Sequence, residues 1–212
     1  QPSVYSDAKS GAVWENFIET TVDENGVLNS IKFKNEDKFN FAYDVVDAIA
    51  AKNPDKLAVL HLDAEKHERR LTFGDISRES SRTANYLKSL GIGKGDRVMV
   101  VLKRHYHFWY TIVALHKLGA VIIPATNLLV EHDLEYRFNA AGVKAIICTA
   151  DGDVAHQVDL AAPRCETLEL KILACQNEHK TIDGWHDFNS EYAKCSPVFE
   201  RTADTACGDD PM

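Results

Sequence analysis

The chain has 212 residues, 45% of them hydrophobic and 26% charged, the balance of an ordinary globular protein with room for a sizeable core. A net charge of −8 argues against a general nucleic-acid or anionic-membrane surface. No apolar run approaches the ~20 residues that span a bilayer. Five cysteines (Cys148, Cys165, Cys175, Cys195, Cys207) are an odd number without a C-x-x-C pair. They read as free thiols in a reducing compartment, with no disulfide and no metal site expected, and the expected location is cytoplasmic.

In chain order, residues 1–40 are polar, with irregularly spaced aromatics. They predict an arm packed along the domain surface, with a short helix near Ala12–Glu19 and a turn at Asn25-Gly26. The α/β subdomain covers residues 41–176. Asn40 is placed as an N-cap for a first helix with Phe41, Val45, Ala48 and Ile49 as its apolar stripe, and Asn53-Pro54 ends it. Leu57–Asp63 reads as a strand and Asp63–Arg70 as a charged, hairpin-like link into Leu71. Thr72, with Asp75 three residues on, forms an Asp variant of the capping box. The helix that follows turns Ile76, Ala84 and Leu87 inward and stops at Gly91.

Arg97–Leu102 is β-branched and apolar without alternation, as in a strand buried on both faces of a parallel sheet. Phe108, Ile112, Leu115 and Gly119 fall at helical spacing, with Gly119 as the stop at positive φ. Val121–Ile123 is a second buried strand. A helix with Leu134, Phe138 and Ala141 on one face ends at Gly142, a strand covers Ala145–Cys148, and a helix with Val154, Val158 and Ala161 is closed by Pro163. Leu170–Cys175 is a further strand. Two apolar strands joined by an amphipathic helix give a βαβ unit. The repeat of that pattern predicts an α/β fold, with a mostly parallel sheet and helices on both faces. Residues 177–212 read as a polar, irregular and poorly ordered tail.

The wording of these segments carries a resemblance. His116–Thr126, HKLGAVIIPAT, closely resembles the second core motif of AMP-forming acyl-CoA synthetases. Leu71, Thr72, Phe73, Asp75 and Ile76 resemble that family's Leu-Thr-Tyr-x-Glu-Leu opening. Asp183-Gly184-Trp185 with Phe188 is similar to the medium-chain branch. The resemblance runs from Phe41 to about Asp151. It implies the large N-terminal domain of an adenylate-forming enzyme that activates a short- or medium-chain carboxylate with ATP and Mg²⁺ and passes the acyl group to coenzyme A. It also implies that these residues are the N-terminal part of a synthetase more than twice as long. The family's phosphate-binding loop, adenine and ribose contacts, hinge and lid lysine match nothing here. No catalytic residue is therefore assigned, and no cofactor is expected to stay bound to these residues alone. An apolar face left uncovered would be hidden by self-association or by the arm.

Three residues are candidate ligand contacts. Arg104, at the carboxyl end of the first parallel strand, serves either an anion or a solvated edge. His156 and Gln157 follow the third strand. The corresponding turn in relatives contacts the 3′-phosphate of coenzyme A through arginines, but here it carries Asp151 and Asp153, which repel a phosphate. A coenzyme A contact through His156 or Gln157 stands against a plain helix start capped by Asp153. His105 and His107 lie in the same region, but two histidines without a third ligand do not make a metal site. They depart from the Pro or acidic residue that the family often has there. Phe108 and Trp109 read as core. Gly91-x-Gly93-x-Gly95-Asp96 follows a helix and precedes a strand, the reverse of a dinucleotide loop, so it is a stop and a turn. The alternative to the ligase is a stand-alone α/β domain that binds a small ligand in the crevice where the strand order reverses.

Overall fold

The continuous apolar runs form one sheet because each must bury both of its faces. In the computed structural model, which describes residues 13–176 and 179–212, five parallel strands lie in the order β6-β5-β7-β8-β9. These are β5 (Arg97–Val101), β6 (Val121–Pro124), β7 (Ala145–Thr149), β8 (Leu170–Ala174) and β9 (His186–Asp187). Val98 pairs in register with Ile122 on one side and Ala145 on the other, so the three predicted strands are parallel neighbours.

The pleat sends alternate residues to two cores. Val98, Val100, Leu102, Ala145, Ile147 and Ile172 join the core beneath α2 (Phe73–Ser89) and α3 (His107–Leu118). Met99, Val101, Ile146, Cys148 and Leu173 face α4 (Glu131–Ala141) and α5 (Val154–Ala161). Helices therefore cover both faces, as expected. Among the described residues, no helix is long and apolar enough to cross a membrane.

The local signals are largely confirmed. Thr72 Oγ1 accepts from the Asp75 backbone N–H while Asp75 Oδ2 accepts from the Thr72 N–H, a complete capping box. Gly119 (φ 71) and Gly142 (φ 60) are the left-handed C-caps of α3 and α4. Three helical stripes are corrected in part. The first helix opens as a π-helix at Ala42–Asp47 before α1 (Ala48–Lys52), so Ala42 and Val46 are buried while Phe41 is exposed. On α3, Leu115 is fully buried as expected, together with His107, Tyr110, Thr111, Val113, Ala114, Lys117 and Leu118, while Phe108 and Ile112 are only partly buried, because the helix packs against α2 as well as the sheet. Ala141 on α4 is exposed.

Two regions, the arm and the tail, hold more structure than the sequence suggests. The arm, expected to carry a short helix near Ala12–Glu19, forms a hairpin of β1 (Ile18–Val22) and β2 (Leu28–Phe33) around the expected turn at Asn25-Gly26. A 3₁₀ turn over Val13–Asn16 precedes it, and every residue of β2 is exposed. Residues 1–12 of the arm and 177–178 of the tail lie outside the described residues. The expected hairpin-like link is borne out: it leads into β4 (Glu68–Thr72), which pairs antiparallel with β3 (Leu57–Leu62). The tail supplies β9 and α6 (Phe188–Tyr192), with Phe188 fully buried against Tyr86.

The rest of the tail straps the amino end of the sheet. Asn40 is fully buried. Its Oδ1 accepts from the Ala42 N–H, and its Nδ2 donates to the carbonyls of His116 and Ala206. Lys117, buried by α2 and the first helix, donates to Asp47 and to Ser81 Oγ at 2.9 Å. Burial lowers its pKa and Asp47 opposes that shift. A buried ammonium is tolerable only with such a full set of partners.

Candidate functional site at the carboxyl ends of the strands

The chain runs from β5 to β6 in one direction and then crosses back to β7 on the other side of β5. Strand order therefore reverses between β5 and β7, and open α/β sheets bind ligands outside the carboxyl ends at such a point. The turns that follow these two strands, residues 102–106 and 150–153, meet there.

His105 bridges that crevice. Its Nε2 lies 2.8 Å from Thr149 Oγ1 and 3.4 Å from Asp151 Oδ2. Thr149 Oγ1 also accepts from the Asp151 N–H at 3.0 Å. Both side-chain partners address the same ring nitrogen, so the group is no hydroxyl–imidazole–carboxylate relay, which needs its acid on the other nitrogen. Burial lowers the His105 pKa, with the Asp151 contact working in the opposite direction.

His107 closes the neighbouring gap towards β8. The Asn189 amide is oriented by one peptide segment, since its Oδ1 accepts from the Cys175 N–H and its Nδ2 donates to the Cys175 carbonyl. The remaining amide hydrogen faces His107 Nε2 at 3.2 Å. That nitrogen must accept, so the neutral ring carries its proton on Nδ1. Burial, with smaller contributions from His105 and Arg69, lowers the His107 pKa to about 3. Nδ1 of both rings has no protein partner. The pair is thus a neutral, buried bridge between β5, β7 and β8. The sequence showed two histidines at the right strand end, but their partners Thr149 and Asn189 are far away along the chain.

The three candidate residues separate. Arg104 is exposed at this end of the sheet; its carbonyl lies 2.8 Å from His61 Nε2, and its guanidinium has no partner among the described residues. His156 is exposed on α5. Gln157 is committed elsewhere, because its Oε1 accepts from the Glu131 N–H at the start of α4 and its Nε2 donates to Asp153. Asp153 occupies the N-cap position of α5 without a side-chain bond to the backbone. With two carboxylates and a spoken-for amide, this turn offers no phosphate cradle. Trp109, expected in the core, is 45% exposed.

Among the described residues, one group has metal-ligand proximity: Asp63, Glu65 and His67 on the β3–β4 turn, with ligand atoms within 4.8 Å of one another. The Asp63 carboxylate already accepts from the His67 backbone N–H and pairs with its ring, which closes the turn.

A family model described as AMP-binding enzyme matches residues 46–209. The chain belongs to that family. Acyl-coenzyme A synthetase ACSM2, mitochondrial, of Rattus norvegicus is 32% identical over 169 residues, covering 77% of this chain and 29% of the relative. Acyl-coenzyme A synthetase ACSM5, mitochondrial, of the same organism is 34% identical over 165 residues, covering 75% and 28%. The chain thus spans less than a third of the length of these relatives. Among solved structures, Brucella canis acyl-CoA synthetase superposes with a TM-score of 0.69 at 21% identity, over 82% of this chain and 30% of that one. An anthranilate CoA ligase, AuaEII, in complex with anthranoyl-AMP, gives 0.67 at 20% identity, over 82% and 31%. These two support the α/β architecture with its parallel sheet.

Proposed function

We propose that these residues are the N-terminal portion of an ATP-dependent, AMP-forming acyl-CoA ligase acting on a short- or medium-chain carboxylate. The match to AMP-binding enzymes over residues 46–209 carries this reading, and the names of the rat synthetases fit it. In such a reaction a carboxylate oxygen attacks the α-phosphorus of ATP and pyrophosphate leaves. The thiol of coenzyme A then takes the acyl group and AMP departs. Mg²⁺ supplies charge neutralisation on the phosphates.

The chain's own contribution is a scaffold, with His105 and His107 holding the carboxyl ends of β5, β7 and β8 in register. No described residue takes a catalytic role. The rival reading, a free-standing binding domain that uses the crevice between β5 and β7, is disfavoured because His105 fills that crevice with bonds to Thr149 and Asp151.

Carboxylate-dependent ATP–pyrophosphate exchange tests the proposal, measured with acetate to octanoate on this chain and on the product of the complete reading frame. None is expected from the chain and clear exchange from the complete product. Silence from the complete product overturns the reading. Five free cysteines fit a reducing compartment. The cytoplasm is our proposal, against the mitochondrial location in the relatives' names, and fractionation of a tagged protein decides between them. Self-association of this chain is a further expectation, read by sedimentation at several concentrations.

A further inference from the structure

α6 docks on the body of the domain through two neighbouring side chains, buried Phe188 and the amide of Asn189. The direction of the amide is fixed. Asn189 Oδ1 accepts from the Cys175 N–H, and one Nδ2 hydrogen goes to the Cys175 carbonyl. A flipped amide would set NH2 against N–H and oxygen against oxygen. The second Nδ2 hydrogen therefore stays aimed at His107 Nε2, 3.2 Å away. A neutral imidazole accepts that hydrogen. An imidazolium only donates, so it meets a donor that cannot turn away.

The surroundings of His107 offer a positive charge no compensation. The residue is 1% exposed. His105 lies beside it on the same turn, and the Tyr106 ring stacks on it at 4.0 Å. Tyr110 of α3 and Phe188 of α6 meet it edge-on. His61 of β3 and Arg69 of β4 add repulsion, and no carboxylate among the described residues acts on the ring. The carboxylates of the docked segment are engaged elsewhere. Asp187 accepts from the Ser190 N–H and pairs with His179, and Glu191 pairs with His186. Both pairs strengthen when their histidines gain protons, so they oppose release. His105 differs from His107, because Asp151 stands 3.4 Å from its Nε2 and compensates a proton there.

We propose that His107 is an acid-sensitive latch: protonation of its ring releases β9 and α6 from the sheet while β5 to β8 stay folded. β9 has two residues, lies at the sheet edge and pairs only with β8, and α6 has five residues. Short elements at an edge open at a lower free energy than central strands. Their opening removes the opposing amide and admits water to the ring, whereas β5 remains paired with both β6 and β7. The proposal does not rest on the ligase reading.

With the segment docked, burial keeps His107 neutral down to about pH 3, while a released ring titrates near the ordinary histidine value of 6.5. The released population therefore grows as pH falls below 6.5, by about a hundredfold at pH 4.5. Amide hydrogen exchange of the 212-residue chain, followed by NMR at pH 7 and pH 4.5 and corrected for intrinsic rates, reads that population. Residues 186–192 are expected to lose about a hundredfold in protection, with β5 and β7 still at least about tenfold better protected at pH 4.5. His107→Gln keeps an acceptor for Asn189 without a titration, and its protection at 186–192 is expected to stay within about threefold between the two pH values. Asn189→Asp places a carboxylate on the ring. It is expected to raise the His107 pKa, read from the imidazole carbon-bound protons, and to reverse the trend, so that 186–192 are protected at least as well at pH 4.5 as at pH 7. Protection at 186–192 that survives acid, exchange there at the same rate as in β5 and β7, acid loss retained in His107→Gln, or an unreversed trend in Asn189→Asp would each overturn the proposal.

Discussion

At the amino end of the five-stranded sheet, polar side chains are spent on the protein itself. Asn40 bonds the carbonyls of His116 and Ala206, Lys144 donates to the Gly91 carbonyl and to Asp96, and Arg97 donates to the carbonyls of Ala141 and Gly142. At the carboxyl end, two cations of the turn after β5 have no side-chain partner among the described residues, and two imidazoles are buried neutral with one nitrogen each unsatisfied. One end closes the fold. The other end keeps unspent hydrogen-bonding capacity where α/β sheets receive ligands. The difference teaches that the histidines near a strand end need not be ligands themselves, since here they space the strands while the neighbouring exposed residues remain free.

The largest effect is expected from the closed end. Gly119 has φ 71, and a Cβ built there would lie 2.6 Å from Ala206 Cβ. Gly119→Val combines left-handed strain with a clash against the strap, so a loss of about 4 kcal/mol is expected by urea denaturation. A midpoint like that of the parent would show that the strap moves freely. Asn40→Ala removes a cap and leaves two carbonyls short of a donor. A loss of about 3 kcal/mol follows, and Asn40→Asp is expected to recover only the capping part.

At the open end, pH is the probe. Burial holds the pKa of His107 at about 3, below the ordinary histidine value of 6.5, and lowers that of His105 as well. The unfolded chain therefore binds protons that the folded chain refuses. The stability from neutral, buried rings is complete above pH 6.5 and drains away as pH falls towards 3. His107 alone is expected to account for about 2–3 kcal/mol by pH 4.5. His107→Gln is expected to flatten the stability curve between pH 6.5 and 4.5, and a curve as steep as the parent's would remove His107 from this role.

Smaller effects test the local signals. Thr72→Ala, which breaks the capping box, is expected to cost about 1 kcal/mol. Leu28→Ser on the exposed hairpin is expected to stay within about 0.5 kcal/mol of the parent. A larger loss would show that the hairpin is covered in solution.

Much of the fold was legible because its signals are local. Unbroken apolar runs gave β5 to β8, Thr72 and Asp75 gave the start of α2, and Gly119 and Gly142 gave two helix ends. The hairpin β1–β2 was missed because its residues face solvent on both sides and show no alternation of burial. Of the site, the sequence located Arg104 and the two histidines at the right strand end. It did not show that Gln157 was committed to the start of α4.

The sequence by itself therefore determined the order of strands and helices, the parallel character of the sheet and several turn and cap positions, since each rests on residues a few places apart. Tertiary structure alone decided the strand order with β7 on the far side of β5, the burial of β9 and α6, and the strap on Asn40. It also decided which polar groups at the carboxyl end are spent and which are free. His105 meets Thr149 across 44 positions, His107 meets Asn189 across 82 and Asn40 meets Ala206 across 166. Such contacts depend on how whole helices pack on the sheet, and no periodicity within a short window encodes them.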